Sequence, residues 1–556
     1  MTASPNILIT HARVFTAEPH RPPLNAPTAV GIAGDRIAFV GSAADGAAWA
    51  TPGTRIIDAG GGTLTPGLID SHFHLFFGAM EMGMVQLGGA RSFDEIAQRL
   101  RRYAAEHPED AAVHGTGLRY EILPKARIDR HDLDAILADR PLLIMAYDHH
   151  NVWANTRALE QTGTINGAAT GPNSAIVMGD DGCATGELVE PAAYCLVLLH
   201  FDAWARTVKG LVGTTVGVPQ FNPARERHWL REGVKLAARC GLTSIHNMDG
   251  DAEQAAFYAQ MAAAGELGLR VNIPYSIFPS TPFDALAEAD AMARLHTGSF
   301  VRAGRVKIFL DGVIEARTAL LLDDYADQPG WKGDALYTPE HFTALVRECD
   351  RRGLQVTVHA IGDGAVRRTL DAVELAQTMN GPRDSRHRIE HIELIHPDDL
   401  PRLAALGVIA SMQPLHSPLD YPVVPEVFPG RVGADRWWRS YAWQNVRGAG
   451  AHMAFGSDYP IVSQDPLTGM YAALCRKPWG EGHPNHRQSL ADTLRAYTSG
   501  GAYAEFQEHV KGQIKVGMLA DLTLFPVDLF AMPPERLREA APVLTLLGGQ
   551  PTWDAL

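Results

Sequence analysis

TLTPGLIDSHFH, residues Thr63 to His74, is an apolar β-rich run ending in two histidines spaced two apart. Its core, Leu64 to His74, reads as one strand, and residues i and i+2 of a strand face the same side, so His72 and His74 can reach one metal ion. The alternative is a solvated turn that carries two histidines by chance. Seven further runs of the same kind follow: Leu242 to Met248, Leu269 to Ile277, Arg305 to Gly312, Leu354 to Gly362, His387 to Ile392, Val408 to Pro414 and His452 to Pro460. Each is closed by Gly, Pro, Asp or His.

Helical patterns lie between these runs. DGAVRRTLDAVELAQTMNG places Ala365, Leu370, Val373 and Leu375 near one face, with Gly381 as the stop. PEHFTALVRECDRRG and PDDLPRLAALG open with proline and acidic residues and close with glycine, the expected helix polarity. Eight strands alternating with helices predict an α/β fold, a parallel (β/α)8 TIM-like barrel spanning 65–505. The gap at 75–231 is too long for a loop and predicts an inserted lid or substrate subdomain after barrel strand one. Both ends carry short β segments separated by turns. The economical reading is one composite β-sandwich domain from 1–64 plus 506–556.

Composition narrows the function classes. Of 556 residues, 46% are hydrophobic and 20% charged, ordinary values that exclude disorder, collagen and coiled coil. The charge is 49 − 63 = −14, which favours solubility and argues against nucleic acid as a partner. The five cysteines form no CxxC pair, so a reducing compartment fits better than a secreted disulfide framework. The opening MTASPNILITHARVF lacks a charged region followed by an apolar core. The longest apolar run, Ala192 to Phe201, falls far short of the roughly 20 residues a membrane span requires. A cytoplasmic protein without a membrane partner is expected; homo-oligomerisation is left open.

Four more residues join the two histidines. His359 in VTVHAIGD and His391 in RIEHIE end later strands, and Asp458 follows strand eight in FGSDYP. Taken singly, each has an ordinary reading as a satisfied core residue or an Asx turn. Lys307 lies inside the apolar run VKIFLDG, where lysine is rare without a partner; it either pairs with Asp311, snorkels outward or serves the site. Together they form one coordination shell at the end of the barrel where (β/α)8 enzymes place their chemistry. The donor set suits two divalent metal ions, with zinc favoured by its nitrogen content.

At this point the chain resembles the metal-dependent amidohydrolase superfamily, and within it the YtcJ-like branch (amidohydrolase family 3) that includes N-substituted formamide deformylases. The resemblance rests on TPGLIDSHFH, YDHHNVWAN, VKIFLDGVIEARTALL, VHAIGDGAV, RIEHIELI, SMQPLH, FGSDYPI and GMLADLTLF. It implies that His72, His74 and Asp458 hold a first metal and that His359 and His391 hold a second. Lys307 matches the lysine that in related enzymes becomes a bridging carbamate, a carboxylated lysine. Asp458 would be the catalytic base, taking a proton from a metal-bound water whose hydroxide attacks the scissile carbonyl. Asp148, His150, Trp153 and Asn155 match a D-x-H-x-x-W-x-N pattern in the insertion and are candidates for the substrate pocket or for organising the lid. Gln413, with Met412, adds to the lining at strand seven, and Tyr120 and Tyr147 to that of the insertion. VIEARTALL departs from the Gly-Ser-rich turn of other members, so Glu315 could alter access or specificity. Arg119 and Glu121 either face the site or form a surface ion pair, and the surface pair is the expectation.

The expected activity is hydrolysis of a carbon–nitrogen bond (amide, formamide or cyclic amide) in a small organic molecule. The rivals are a mononuclear aminohydrolase (deaminase) in which Lys307 is only structural, a lactone or ester hydrolase, and a non-catalytic regulatory member.

Overall fold

The computed structural model of the protein describes residues 6–18, 27–123, 127–147, 149–170, 174–201, 223–417 and 427–556. The chain divides into two compact units, one comprising 1–74, 234–276 and 283–556, the other 75–233 and 277–282.

The first unit contains an eight-stranded parallel barrel. Its strands run in sequence order: Leu68–Phe73, Leu242–Asn247, Arg270–Ile277, Val301–Phe309, Gln355–Ala360, Arg388–His391, Ile409–Met412 and Met453–Phe455. All eight expected strands are present. The run Leu64 to His74 is however not one strand. It breaks at Gly67, so that Thr63–Pro66 joins a different sheet and only Leu68–Phe73 enters the barrel. Glycine at this position has a steric reason: a Cβ on Gly67 would lie 2.2 Å from Thr243 Oγ1. Helices connect the strands, and Asp363–Asn380 ends at Gly381 with φ 89°, a backbone conformation glycine adopts freely. Its buried face includes Ala365, Leu370 and Val373, whereas Leu375 is exposed, because two residues beyond Val373 means about 200° of rotation.

The same unit holds two smaller sheets. One, of four strands, orders Arg36–Gly41, Ala29–Ala33, Ile7–Thr10 and Arg55–Asp58. The other, of five, orders Arg13–Val14, Thr63–Pro66, Leu522–Leu524, Leu544–Leu547 and Gln550–Asp554. They share an apolar core that includes Ile9, Val30, Ile57, Leu64, Leu522 and Leu546, so residues from both chain ends bury one another. This core is tied to the barrel by Arg270, whose Nε and Nη2 donate to the two Asp521 oxygens at 2.7 and 2.9 Å.

The second unit is built on a six-stranded sheet ordered Ala175–Met178, Ala184–Val189, Asn151–Ala154, Leu142–Ala146, Val113–Leu118 and Val85–Gln86. The amphipathic helix Phe93–Glu106, capped by Ser92, contributes Ile96 and Leu100 to its own apolar core. Among the described residues no helix is long and apolar enough to cross a membrane.

What closes the barrel positions its site. Past strand eight the chain lies along strand one: Asp458 N donates to His72 O at 2.7 Å and His74 N to Tyr459 O at 2.9 Å. The Asp70 carboxylate, fully buried, receives Ser457 N at 3.0 and 3.1 Å and His72 N at 3.0 Å. Gly456 sits in this seam, where a Cβ would lie 2.3 Å from His72 N and 2.7 Å from Asp70 Oδ1. Gly456→Ala must therefore push the two strands apart. We expect it to cost about 1–3 kcal/mol, the usual range for overpacking, read as a lower urea midpoint. An unchanged midpoint would contradict the close approach.

Candidate metal centre

The ladder registers bring the expected residues together. Phe309 pairs with His359 and Ala360 with His391, which places both histidines at the C-terminal ends of adjacent strands. The strand-one seam then delivers His72, His74 and Asp458. His72 Nε2 and His74 Nε2 each lie 3.3 Å from the same oxygen, Asp458 Oδ1. The His391 ring is 4.7 Å from that of His72 and 4.4 Å from that of His359, centroid to centroid. Both His391 and Asp458 have positive φ, 78° and 66°, a conformation that costs non-glycine residues on the order of 1–3 kcal/mol and clusters at functional sites.

The tightest group of possible ligands is His72, His391 and Asp458, all buried, with one ligand atom of each within 4.8 Å of the others. The resemblance puts His391 with His359, whose ring, at 4.4 Å, lies nearer to that of His391 than the His72 ring does. His359 Nε2 faces Gly312 O at 3.2 Å. Lys307 is buried beside them and its Nζ has no hydrogen-bond partner among the described residues. Asp311 is not its partner, since that carboxylate accepts from the backbone N–H groups of Leu320, Ile361 and Gly362.

Burial and charge pull these groups in different directions. Burial lowers His359 to about 3 and holds His391 well below the ordinary histidine value, so both imidazoles are neutral donors of lone pairs. Burial also works against a cation at His74, but Asp249, 3.4 Å away, and Asp458 outweigh it and push His74 up to about 9. For Asp458, burial favours the protonated acid, yet contact with His72 and His74 prevails and holds it well below the usual carboxylate range. Lys307 is lowered to about 8, mainly by burial, which brings a neutral amine within reach near physiological pH.

A divalent cation fits this arrangement. The Nδ1 atom of His391 is buried without a hydrogen-bond partner among the described residues, as is Lys307 Nζ. An imidazole–carboxylate set with unsatisfied lone pairs is the donor chemistry zinc prefers. His72, His391 and Asp458 would hold the ion, with His74, His359 and Lys307 alongside.

Sequence reasoning passed over several residues here. Asp249 follows strand two in HNMDG much as Asp458 follows strand eight, and the same strand-end logic finds it. His416, in the quoted SMQPLH, stacks on His391 at 6.0 Å with Nε2 3.8 Å from Asp458 Oδ2 and Nδ1 3.5 Å from Glu393. Glu390, next to His391, accepts from His72 Nδ1 at 2.7 Å.

The candidates for substrate contact divide. Gln413 is buried at the end of strand seven, with neither amide atom hydrogen-bonded among the described residues. The others belong to the second unit. Asn155 caps the helix Thr156–Gln161, its Oδ1 accepting from Leu142 N and Ala158 N and its Nδ2 donating to Leu137 O and Arg140 O. That amide is fully used by the fold of its unit. Trp153 is 2% exposed within the apolar core there, edge-on to Tyr120, so its place is that of a packing residue. His150 is half-buried and pairs with Glu190 at 3.0 Å. Asp148 and the Glu121 side chain lie outside the described residues, and Arg119 lies over the Tyr147 ring at 5.0 Å.

Known proteins resemble the chain over nearly its whole length. The sequence model described as "Amidohydrolase family" matches residues 55–553. The Bacillus subtilis (strain 168) protein YtcJ is 28% identical over 520 residues, covering 91% of this chain and 92% of its own. The N-substituted formamide deformylase of Arthrobacter pascens is 24% identical over 574 residues, 99% of this chain and 98% of its own. A metal-dependent hydrolase from Pyrococcus horikoshii OT3 superposes with a TM-score of 0.74 at 23% identity, covering 95% of this chain and 99% of that one, and shares the fold. The barrel, the buried histidine–carboxylate cluster and the match across 55–553 agree: this chain belongs to the amidohydrolase family.

Proposed function

We propose that the protein is a metal-dependent hydrolase that cleaves a carbon–nitrogen bond, an amide, formamide or cyclic amide, in a small organic molecule. The observation that carries this reading is Asp458: a buried carboxylate held ionised, 3.3 Å from two imidazole nitrogens at the centre of the cluster. Bound there, two divalent ions, zinc foremost, would polarise a carbonyl and acidify water. The protein's own part is to place them and to move a proton. His72, His74, His359 and His391 would be the imidazole ligands, with His74 giving up, in favour of the metal, the proton that Asp249 and Asp458 favour. Lys307, whose neutral amine burial favours, is the candidate for carboxylation by CO2. Asp458 accepts the proton of the attacking water as the new carbon–oxygen bond forms. It then passes that proton to the nitrogen as the carbon–nitrogen bond breaks, releasing an acid and an amine.

Gln413 offers an amide donor and acceptor to the substrate from the end of strand seven. The motif segments carry no cluster of Lys or Arg, which favours a neutral or weakly charged substrate over a phosphorylated one. The deformylase relative supports N-substituted formamides as the first class to assay.

The metal-reconstituted protein should contain about two divalent ions per chain by elemental analysis, the number a two-metal hydrolase needs. A single ion after loading with metal and bicarbonate would favour the mononuclear reading. Asp458→Asn should lower kcat by at least about 100-fold, the low end for a positioned proton carrier. Near-normal turnover would place the base elsewhere. A panel of amides, formamides, hydantoins, lactones and aminopurines decides the bond. Ammonia release from aminopurines alone would make the protein a deaminase, and reaction of lactones alone would overturn the carbon–nitrogen assignment.

A further inference from the structure

The barrel interior beneath the metal centre contains a line of buried charges that the reaction does not use. Its first member is Glu390, fully buried, whose Oε2 lies 2.7 Å from His72 Nδ1 and whose Oε1 accepts from Arg388 Nε at 2.9 Å. Arg388, 1% exposed, donates through Nη2 to Ser71 O at 2.7 Å and Ser411 Oγ at 2.8 Å, and through Nη1 to His246 Nδ1 at 2.7 Å. His246 Nε2 lies 3.4 Å from Glu505 Oε1. Glu505 in turn pairs with Lys511 Nζ at 2.7 Å, and Lys511 donates to Ser244 Oγ at 2.7 Å. The line therefore runs Lys511, Glu505, His246, Arg388, Glu390, His72, with every cation beside an anion or an imidazole.

Proton positions along this line follow from chemistry. A guanidinium only donates, so His246 Nδ1 accepts and its proton sits on Nε2, facing Glu505. A carboxylate paired with arginine only accepts, so the His72 proton sits on Nδ1. The lone pair of His72 is then on Nε2, the atom that faces Asp458. We propose that Glu390 is a positioning residue for the metal centre: it fixes His72 as the Nδ1–H tautomer and aims Nε2 at the ion, while Arg388 holds Glu390 in place.

This inference rests on the reading of His72 as a metal ligand. Carboxylates that receive the second N–H of a ligating histidine typically contribute 10- to 100-fold in metal affinity. Glu390→Gln keeps the shape and removes the charge, and we expect it to lower Zn2+ affinity by roughly 10- to 100-fold in competition with a chromogenic chelator. The single variant also strands the buried Arg388 cation, which can prevent folding. The double variant Arg388→Met/Glu390→Gln removes both charges. If Glu390 acts on His72, the double variant recovers melting temperature but not Zn2+ affinity. Recovery of both would reduce Glu390 to a partner for Arg388.

Neutron diffraction from the unaltered zinc-loaded protein decides independently of any variant. A hydrogen on His72 Nδ1 toward Glu390 is expected, and a bare Nδ1 overturns the proposal. Zn2+ affinity of folded Glu390→Gln within about threefold of the original, far below the expected range, would also overturn it. Loss of Zn2+ affinity without amide hydrolysis by the unaltered protein would sink the substrate reading and leave this inference standing. An unaltered protein that binds no Zn2+ would end both.

Discussion

The site depends on the approach of the turn after strand eight to strand one. That turn carries Asp458, strand one carries His72 and His74, and Gly456 lets the two backbones close to a distance no side chain permits. Asp70 seals the seam by accepting Ser457 N and His72 N together. Burial raises Asp70 to about 7, and the hydrogen bonds it receives work against that rise. Because the same contact closes the barrel and assembles the ligands, barrel integrity and metal binding should fail together.

The barrel itself was legible because its strands are short apolar runs with clear stops, and because helices of opposite end polarity separate them. The break at Gly67 was not, since Pro66-Gly67 inside an apolar run looks like any local punctuation until Thr243 is known to lie against it. Leu375 shares the hydrophobic character of Val373 but not its direction, because two residues of helical rotation carry it outward.

The ligands were legible as a set. Strand-end position named His72, His74, His359, His391 and Asp458, and what the sequence withholds is their spacing: the His391 ring lies 4.4 Å from that of His359 and 4.7 Å from that of His72. Asn155 and Trp153 carried two readings, the substrate pocket or the organisation of the insertion, and the structure shows what each does for the fold: one caps a helix and the other packs in a core. The buried charges were overlooked. Arg305, at the head of the same apolar run as Lys307, is buried with backbone partners on strands two and three, whereas Arg388 and Glu390 sit in a polar stretch, RIEH, that reads as solvent-facing until their burial is seen.

A polar barrel interior has a physical rationale here. Cations and anions in alternation neutralise one another in a low-dielectric interior, and the contact between Glu390 and His72 Nδ1 orients that imidazole. The central claim is that this orientation serves a metal ion at the mouth of the barrel. Anomalous diffraction at the zinc edge from zinc-loaded crystals tests it most directly. The account predicts a peak bound by His72 Nε2, His391 and Asp458. Zinc found only at surface histidines, with this cluster empty, would contradict it.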